Sequence, residues 1–242
     1  MTTIVKVKAP TEKLRISDLH AFYGESHILH GIDMTVNQGE LVTLLGRNGS
    51  GRSTTLKAVM NMVGKRTGSI VINGQETLNM AGHKIAHLGM GFCPEERGIF
   101  ASLNVEENLM LPPNVRSGGM SVEEIYDMFP NLAERRKSQG TRLSGGEQQM
   151  LAMARILRTG ADILLLDEIT EGLAPVIVQS LAGVLTKLKE RGLTIVLVEQ
   201  NFHFAAPIAD RHYLMEHGHM VEEIKAHELG AKTDLLNTYL GV

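Results

Sequence analysis

Gly46-Arg47-Asn48-Gly49-Ser50-Gly51-Arg52-Ser53 follows a continuous apolar run, Leu41-Val42-Thr43-Leu44-Leu45, and opens a segment over 53–62 that reads as a helix. A buried strand, a glycine-rich turn and a helix follow one another here, and strands alternating with helices along the rest of the chain indicate a mostly parallel α/β sheet. Glycines let the backbone curl so that successive N–H groups point inward. The start of the next helix adds its positive end, which makes the turn a cradle for phosphate oxygens. The octapeptide fits the pattern G-x-x-x-x-G-K-[ST] at every place but one.

That place is Arg52, where the pattern asks for lysine. The charge is kept and the shape is not: an ammonium is a compact point donor, a guanidinium a broad planar fork. Arg52 is expected to pair with the terminal phosphates, less well placed for the transition state. Ser53 offers a hydroxyl to Mg²⁺, and Thr54 follows it in the first helical turn.

A second apolar run, Ile163-Leu164-Leu165-Leu166, ends in Asp167-Glu168. Downstream of a phosphate loop, the first carboxylate is expected to hold Mg²⁺ through its water shell. The second is expected to orient or deprotonate an attacking water. Between the two runs the pattern changes. Strand-like stretches over 14–40, broken by Gly24, Gly31 and Gly39, at 69–74 with a turn at Asn73-Gly74, and at 88–93 give way to helical patterning. Asn104 with Glu107 reads as a capping box. Residues 122–129 and the stretch after Gly146 read as helices, and strand–helix alternation resumes at 163–166, 176–190 and 194–198.

Leu143-Ser144-Gly145-Gly146-Glu147-Gln148-Gln149 opens the helix leading to Asp167. It resembles the LSGGQ signature of ABC ATPases, with Glu147 in the fifth place. The hydroxyl of Ser144 and the amides of Gly145 and Gly146 make a second helix N-terminus able to hold phosphate. The resemblance runs from about residue 14 to the end. It is strongest to ATP-binding subunits of branched-chain amino acid importers of the LivF type, through Tyr23-Gly24, Pro94-Glu95-Glu96-Arg97, Val105-Glu106-Glu107-Asn108-Leu109, Thr170-Glu171-Gly172-Leu173-Ala174-Pro175 and Leu197-Val198-Glu199-Gln200-Asn201.

The resemblance implies a P-loop NTPase core with a mostly parallel sheet, an antiparallel β subdomain and a helical subdomain. It implies one ABC ATPase domain over 12–242, with core and β parts at 12–102 and 151–242 and the helical part at about 103–150. ATP and Mg²⁺ are the implied ligands. Tyr23 matches the aromatic residue that stacks on adenine, and Gly46 to Thr54 the phosphate loop. Glu95 stands at the Q-loop glutamine, Gln200 at the switch histidine, and Gly172-Leu173-Ala174 at the D-loop. Arg52 and Ile169, the latter in place of a proline after Glu168, depart from the pattern and bear on hydrolysis rate. Phosphate loop and signature are expected to lie too far apart in one subunit to share a nucleotide, so an identical or related second ATPase subunit is implied. Transmembrane permease subunits are implied partners, a separate solute-binding protein an indirect one. Branched-chain amino acids are the implied cargo, urea and short amides the nearest alternatives. The implied place is peripheral, on the cytoplasmic face of the inner membrane.

Composition agrees. With 43% hydrophobic residues a sizeable core can form, and a net charge of −3 gives no basic stripe for nucleic acid. No stretch approaches the ~20 apolar residues that span a bilayer, so any link to a membrane runs through a partner. Residues 1–10 lack the apolar centre of a signal peptide. The single cysteine, Cys93, excludes an internal disulfide, fits a reducing compartment and reads as a buried apolar residue. Ten histidines raise the question of a metal. His83 and His87 are spaced i, i+4, and His217 and His219 flank Gly218, but no cysteine or carboxylate completes either set.

Overall fold

The computed structural model describes residues 11–240. Residues 1–10, read above as lacking the apolar centre of a signal peptide, therefore lie outside the described residues. In chain order the elements are β1 (Glu12–Tyr23), β2 (Ser26–Asn37), β3 (Leu41–Leu45), α1 (Arg52–Val59), β4 (Lys65–Ile72), β5 (Gln75–Glu76), α2 (Gly82–Ala86), β6 (Met90–Cys93), α3 (Val105–Met110), α4 (Val122–Met128), α5 (Pro130–Glu134), α6 (Gly145–Arg158), β7 (Ile163–Asp167), α7 (Pro175–Glu190), β8 (Thr194–Val198), α8 (Phe202–Ala205), β9 (Arg211–Glu216), β10 (His219–Lys225) and α9 (Thr233–Leu240).

Six strands form one sheet in the order β10-β9-β3-β8-β7-β6, parallel except for β10, which runs antiparallel to β9. The other four form an antiparallel sheet in the order β2-β1-β4-β5. β3, β7 and β8 are buried at every position, and their apolar side chains, Leu45 apart, alternate between two cores. Leu41, Leu164, Leu166, Ile195 and Leu197 face one core with α6 and α7. Val42, Leu44, Ile163, Leu165, Val196 and Val198 face the other, with α1 and the antiparallel sheet. A strand buried on both faces needs apolar residues throughout, which is why these runs are continuous rather than alternating. Each such side chain contributes about 1.5–3 kcal/mol by leaving water.

The helices start where capping residues permit. Asn104 accepts from the Glu107 amide while the Glu107 carboxylate accepts from the Asn104 amide, and Ser121 with Glu124 and Ser144 with Glu147 repeat the arrangement. Val105, Leu109, Ile125, Phe129 and Leu132 bring α3, α4 and α5 onto α6 through one apolar core.

One expectation is corrected. Gly31 does not break the first strand region; it lies inside β2 with φ +75° as the extra residue of a bulge, since Ile32 pairs with Leu19 and His30 with His20. β1 and β2 are thus single long strands. The turn at Asn73-Gly74 is present, with both residues at positive φ.

Candidate nucleotide site

β3 ends at Leu45 and the chain curls through the glycines into α1. A Cβ on Gly46 would lie 2.3 Å from the Met215 carbonyl oxygen, so only hydrogen fits where the loop passes β9. Gly49 and Gly51 hold positive φ, the second as the residue preceding α1. Among the described residues, the amides of Gly49, Gly51, Arg52, Ser53 and Thr54 donate to no acceptor. The buried Ser50 Oγ likewise lacks a partner. Unpaired donors lining a concave turn are what an anion needs.

The cavity over this loop is about 400 Å³. It is lined by Tyr23, Ile28, Asn48 to Thr54 of the loop, Glu95, Glu168 and Glu171. Tyr23, at 42% exposure, stands on its rim at the end of β1. Gly46 and Arg47 do not line it. Arg47 is exposed and its guanidinium donates to the Thr238 carbonyl.

Below the loop Ser53 Oγ donates to Asp167 Oδ1 at 2.8 Å. Asp167 is buried at the end of β7, and burial raises its pKa against the hydrogen bond from Ser53 and the charges of Lys57 and Arg52. A hydroxyl and a carboxylate oxygen in contact are a hard donor pair that suits Mg²⁺. Glu95, Glu168 and Glu171 bring carboxylate oxygens within 4.8 Å of one another across the cavity. Burial, then Glu171 and Asp167, push the Glu95 pKa up. Such a group of like charges repels a bare triphosphate and favours one that arrives with a divalent cation. The residues present therefore fit Mg²⁺.

Arg52 does not point freely into the cavity. It is 4% exposed. Its Nη1 donates to the Glu199 carbonyl at 2.7 Å and its Nη2 to Glu168 Oε1 at 2.8 Å and Asn48 Oδ1 at 3.3 Å. Glu168 turns back to meet it because its backbone sits at φ +46°, a strained conformation for a residue with a side chain. Burial raises the Glu168 pKa and Arg52 opposes the rise.

Gln200 is exposed and lines an adjoining cavity of about 260 Å³ with Glu168, Thr170, Glu171, Glu199 and Asn201. Ser144, Gly145 and Gly146 line neither cavity. Sequence reasoning did not single out Glu199. It is 2% exposed, accepts from the Thr170 amide and hydroxyl, and is pushed by burial to a pKa of about 7. A carboxylate directly after an apolar strand was the available signal. Ile169 is buried in the core against α6 and α7. Cys93 is buried, and burial pushes its thiol to about 12, so it is inert as a nucleophile.

Comparison with known proteins agrees with this geometry. The family model for the ABC transporter matches residues 29–171. The high-affinity branched-chain amino acid transport ATP-binding protein BraG of Pseudomonas aeruginosa is 35% identical over 237 residues, covering 94% of this chain and 99% of BraG. A probable branched-chain amino acid transport ATP-binding protein LivF of Archaeoglobus fulgidus is 36% identical over 220 residues, 89% of this chain and 93% of that one. The lipopolysaccharide export system ATP-binding protein LptB of Escherichia coli K12 is 30% identical over 234 residues, 94% and 97% of the two chains. A dimeric ATP-binding cassette solved in a post-hydrolysis state with ADP and Pi superposes with TM-score 0.76 at 26% identity, over 88% of this chain and 98% of that one. With a phosphate cradle, an acidic strand end and relatives aligned over nearly its whole length, the chain belongs to the ABC transporter family, as an ATP-binding, ATP-hydrolysing subunit.

Proposed function

We propose that this chain couples ATP binding and hydrolysis to the uptake of branched-chain amino acids through a transmembrane permease. The observation that carries the reading is the cavity that joins Tyr23, the phosphate loop, Glu95 and Glu168, in a chain whose relatives include BraG and LivF. In this reading Tyr23 stacks on adenine. The free amides of the loop and the helix end hold the phosphates. Ser53 and Asp167 hold Mg²⁺, which would neutralise charge on the terminal phosphates. Glu168 takes a proton from the attacking water, and Gln200 lies beside it to orient the phosphate.

Ser144, Gly145 and Gly146 stand apart from this cavity, which supports a head-to-tail pair in which each signature completes the partner's site. The pair consists of two copies or of this chain and a related one. Residues 12–242 act as one unit, the helical part at about 103–150 and the Glu95 loop meeting the permease. The working place is the cytoplasmic face of the inner membrane, with a solute-binding protein engaged only through the permease. Among the described residues no helix is long and apolar enough to cross a membrane.

Co-purification with the neighbouring permease, followed by uptake assays in vesicles, tests this. ATP-dependent uptake of leucine, isoleucine and valine is expected. Uptake of urea or short amides alone would move the cargo, and a partner that exports lipopolysaccharide would overturn the importer reading.

A second reading, of a different kind, is favoured by the buried Arg52–Glu168 ion pair: a clamp that closes on ATP and turns it over slowly. It retains the fold and the ligand, and differs in rate.

A further inference from the structure

Away from the nucleotide cavity, four imidazoles line up across β1, β2 and β10. His20 and His30 are register partners on β1 and β2. The ring centroids of His20 and His27 are 5.1 Å apart, those of His27 and His30 4.0 Å, and those of His30 and His219 4.9 Å. No spacing in the sequence announces the group, because two strand pairings and a distant hairpin assemble it.

Two nitrogens in the row face each other: His20 Nδ1 and His27 Nε2 are 3.0 Å apart. The other nitrogen of His20, Nε2, lies 3.2 Å from Asp18 Oδ1. Asp18 is aimed there by an irregularity in β1, where the register with β4 shifts between Ser17 and His20 and Asp18 adopts φ +48°. A carboxylate on Nε2 fixes the proton on that nitrogen, leaving a lone pair on Nδ1. His27 is held by stacking on Phe22, at 4.2 Å between centroids and 13° between planes. Lys65 Nζ in turn sits over the Phe22 ring.

From these contacts we propose that His20 and His27 form a two-nitrogen surface clamp for a borderline divalent transition metal, Zn²⁺, Ni²⁺ or Cu²⁺. Two nitrogens on one such ion, each at about 2.0–2.1 Å, are separated by roughly 2.9–3.4 Å for angles between square and tetrahedral. The spacing present falls inside that range. When the ion enters, His27 shifts its proton from Nε2 to Nδ1, so both rings remain neutral and both lone pairs point at the metal. Water fills the other positions. Imidazole donors select these ions over Mg²⁺, which keeps the site chemically distinct from the oxygen-lined nucleotide cavity. The metal would staple β1 to β2, the hairpin whose tip carries Tyr23.

The test uses untagged, chelator-stripped full-length protein without nucleotide. Isothermal titration with Zn²⁺ is expected to give one equivalent with a micromolar Kd. His20→Gln and His27→Gln should each weaken it at least tenfold, while His83→Gln and Glu171→Gln leave it unchanged. On the wild-type protein, ¹⁵N imidazole NMR should place Zn²⁺ on His20 Nδ1 and His27 Nε2, a readout that needs no variant. Binding that survives the His20→Gln/His27→Gln pair, binding lost in Glu171→Gln instead, or no binding below millimolar Zn²⁺ would each overturn the clamp.

Discussion

Arg52 Nη2 lies 2.8 Å from Glu168 Oε1, so the cation of the phosphate loop holds the carboxylate that follows the acidic strand. Both side chains are largely out of water, at 4% and 14% exposure. A lysine in the same place would offer one compact head. The guanidinium instead spreads three bonds over Glu168, Asn48 and the Glu199 carbonyl. Arriving phosphates must compete with all three, and Glu168 is a weaker base while it is paired.

Glu168→Gln keeps an oxygen for Arg52 and removes the carboxylate proposed as the base. ATP hydrolysis should fall about 10²-fold or more, within the range general-base loss produces. ATP binding should persist, and dimers should accumulate with ATP and Mg²⁺ on size-exclusion chromatography. A monomer under those conditions would count against head-to-tail pairing.

Asp167→Asn removes the charge that Ser53 contacts. Nucleotide binding measured with a fluorescent ATP analogue should lose most of its dependence on Mg²⁺, about a tenfold effect or more. An unchanged Mg²⁺ dependence would remove Asp167 from the proposed metal site. The converging carboxylates of Glu95, Glu168 and Glu171 also require that the wild-type protein bind ATP much more weakly in EDTA than in Mg²⁺.

Glu199 carries a pH signature. Its folded pKa of about 7 lies above the ordinary 4.5. Between those values the folded state binds the extra proton, so this residue's contribution to stability is full below about pH 4.5 and is lost as pH rises through 7. Glu199→Gln mimics the protonated acid, and the Thr170 hydroxyl can turn to accept from the new amide. Melting curves from pH 5 to 8 should show the wild type losing stability relative to the variant as pH rises. Parallel curves would mean that the Thr170 donors keep Glu199 charged throughout.

Gly46→Ala tests the packing of the loop on β9. The added carbon would meet the Met215 carbonyl oxygen at 2.3 Å, and backbone cannot yield as a side-chain end can. A cost of about 1–3 kcal/mol is expected, read as a fall of several degrees in Tm. Gly49→Ala, where nothing lies within 4 Å, separates crowding from backbone strain, because only the strain of φ +80° applies there.

Much of this arrangement was legible in the chain. β3, β7 and β8 announce themselves because strands buried on both faces must be apolar throughout. Asn104 and Ser144 mark helix starts because unpaired amides need an acceptor nearby. The segment after residue 202 carries no such local pattern: α8 is a single turn, and β9 and β10 depend on pairing with β3 and with each other. Gly31 read as a break because a bulge and a turn draw on the same backbone freedom. The phosphate loop and Asp167 were visible as local patterns. The grip of Arg52 on Glu168 was not, since it joins residues far apart in sequence through the φ of Glu168 and the path of β8, neither of which leaves a local mark.

Steady-state ATPase activity of Arg52→Lys beside the wild type, each with nucleotide affinity measured on the same preparation, tests the restraint most directly. Freeing Glu168 should raise kcat at least about tenfold, or roughly 1.4 kcal/mol of barrier, with nucleotide Kd changed by no more than about threefold. Equal or lower turnover in Arg52→Lys would contradict it, and would mean that the guanidinium leaves Glu168 without delay once ATP is bound.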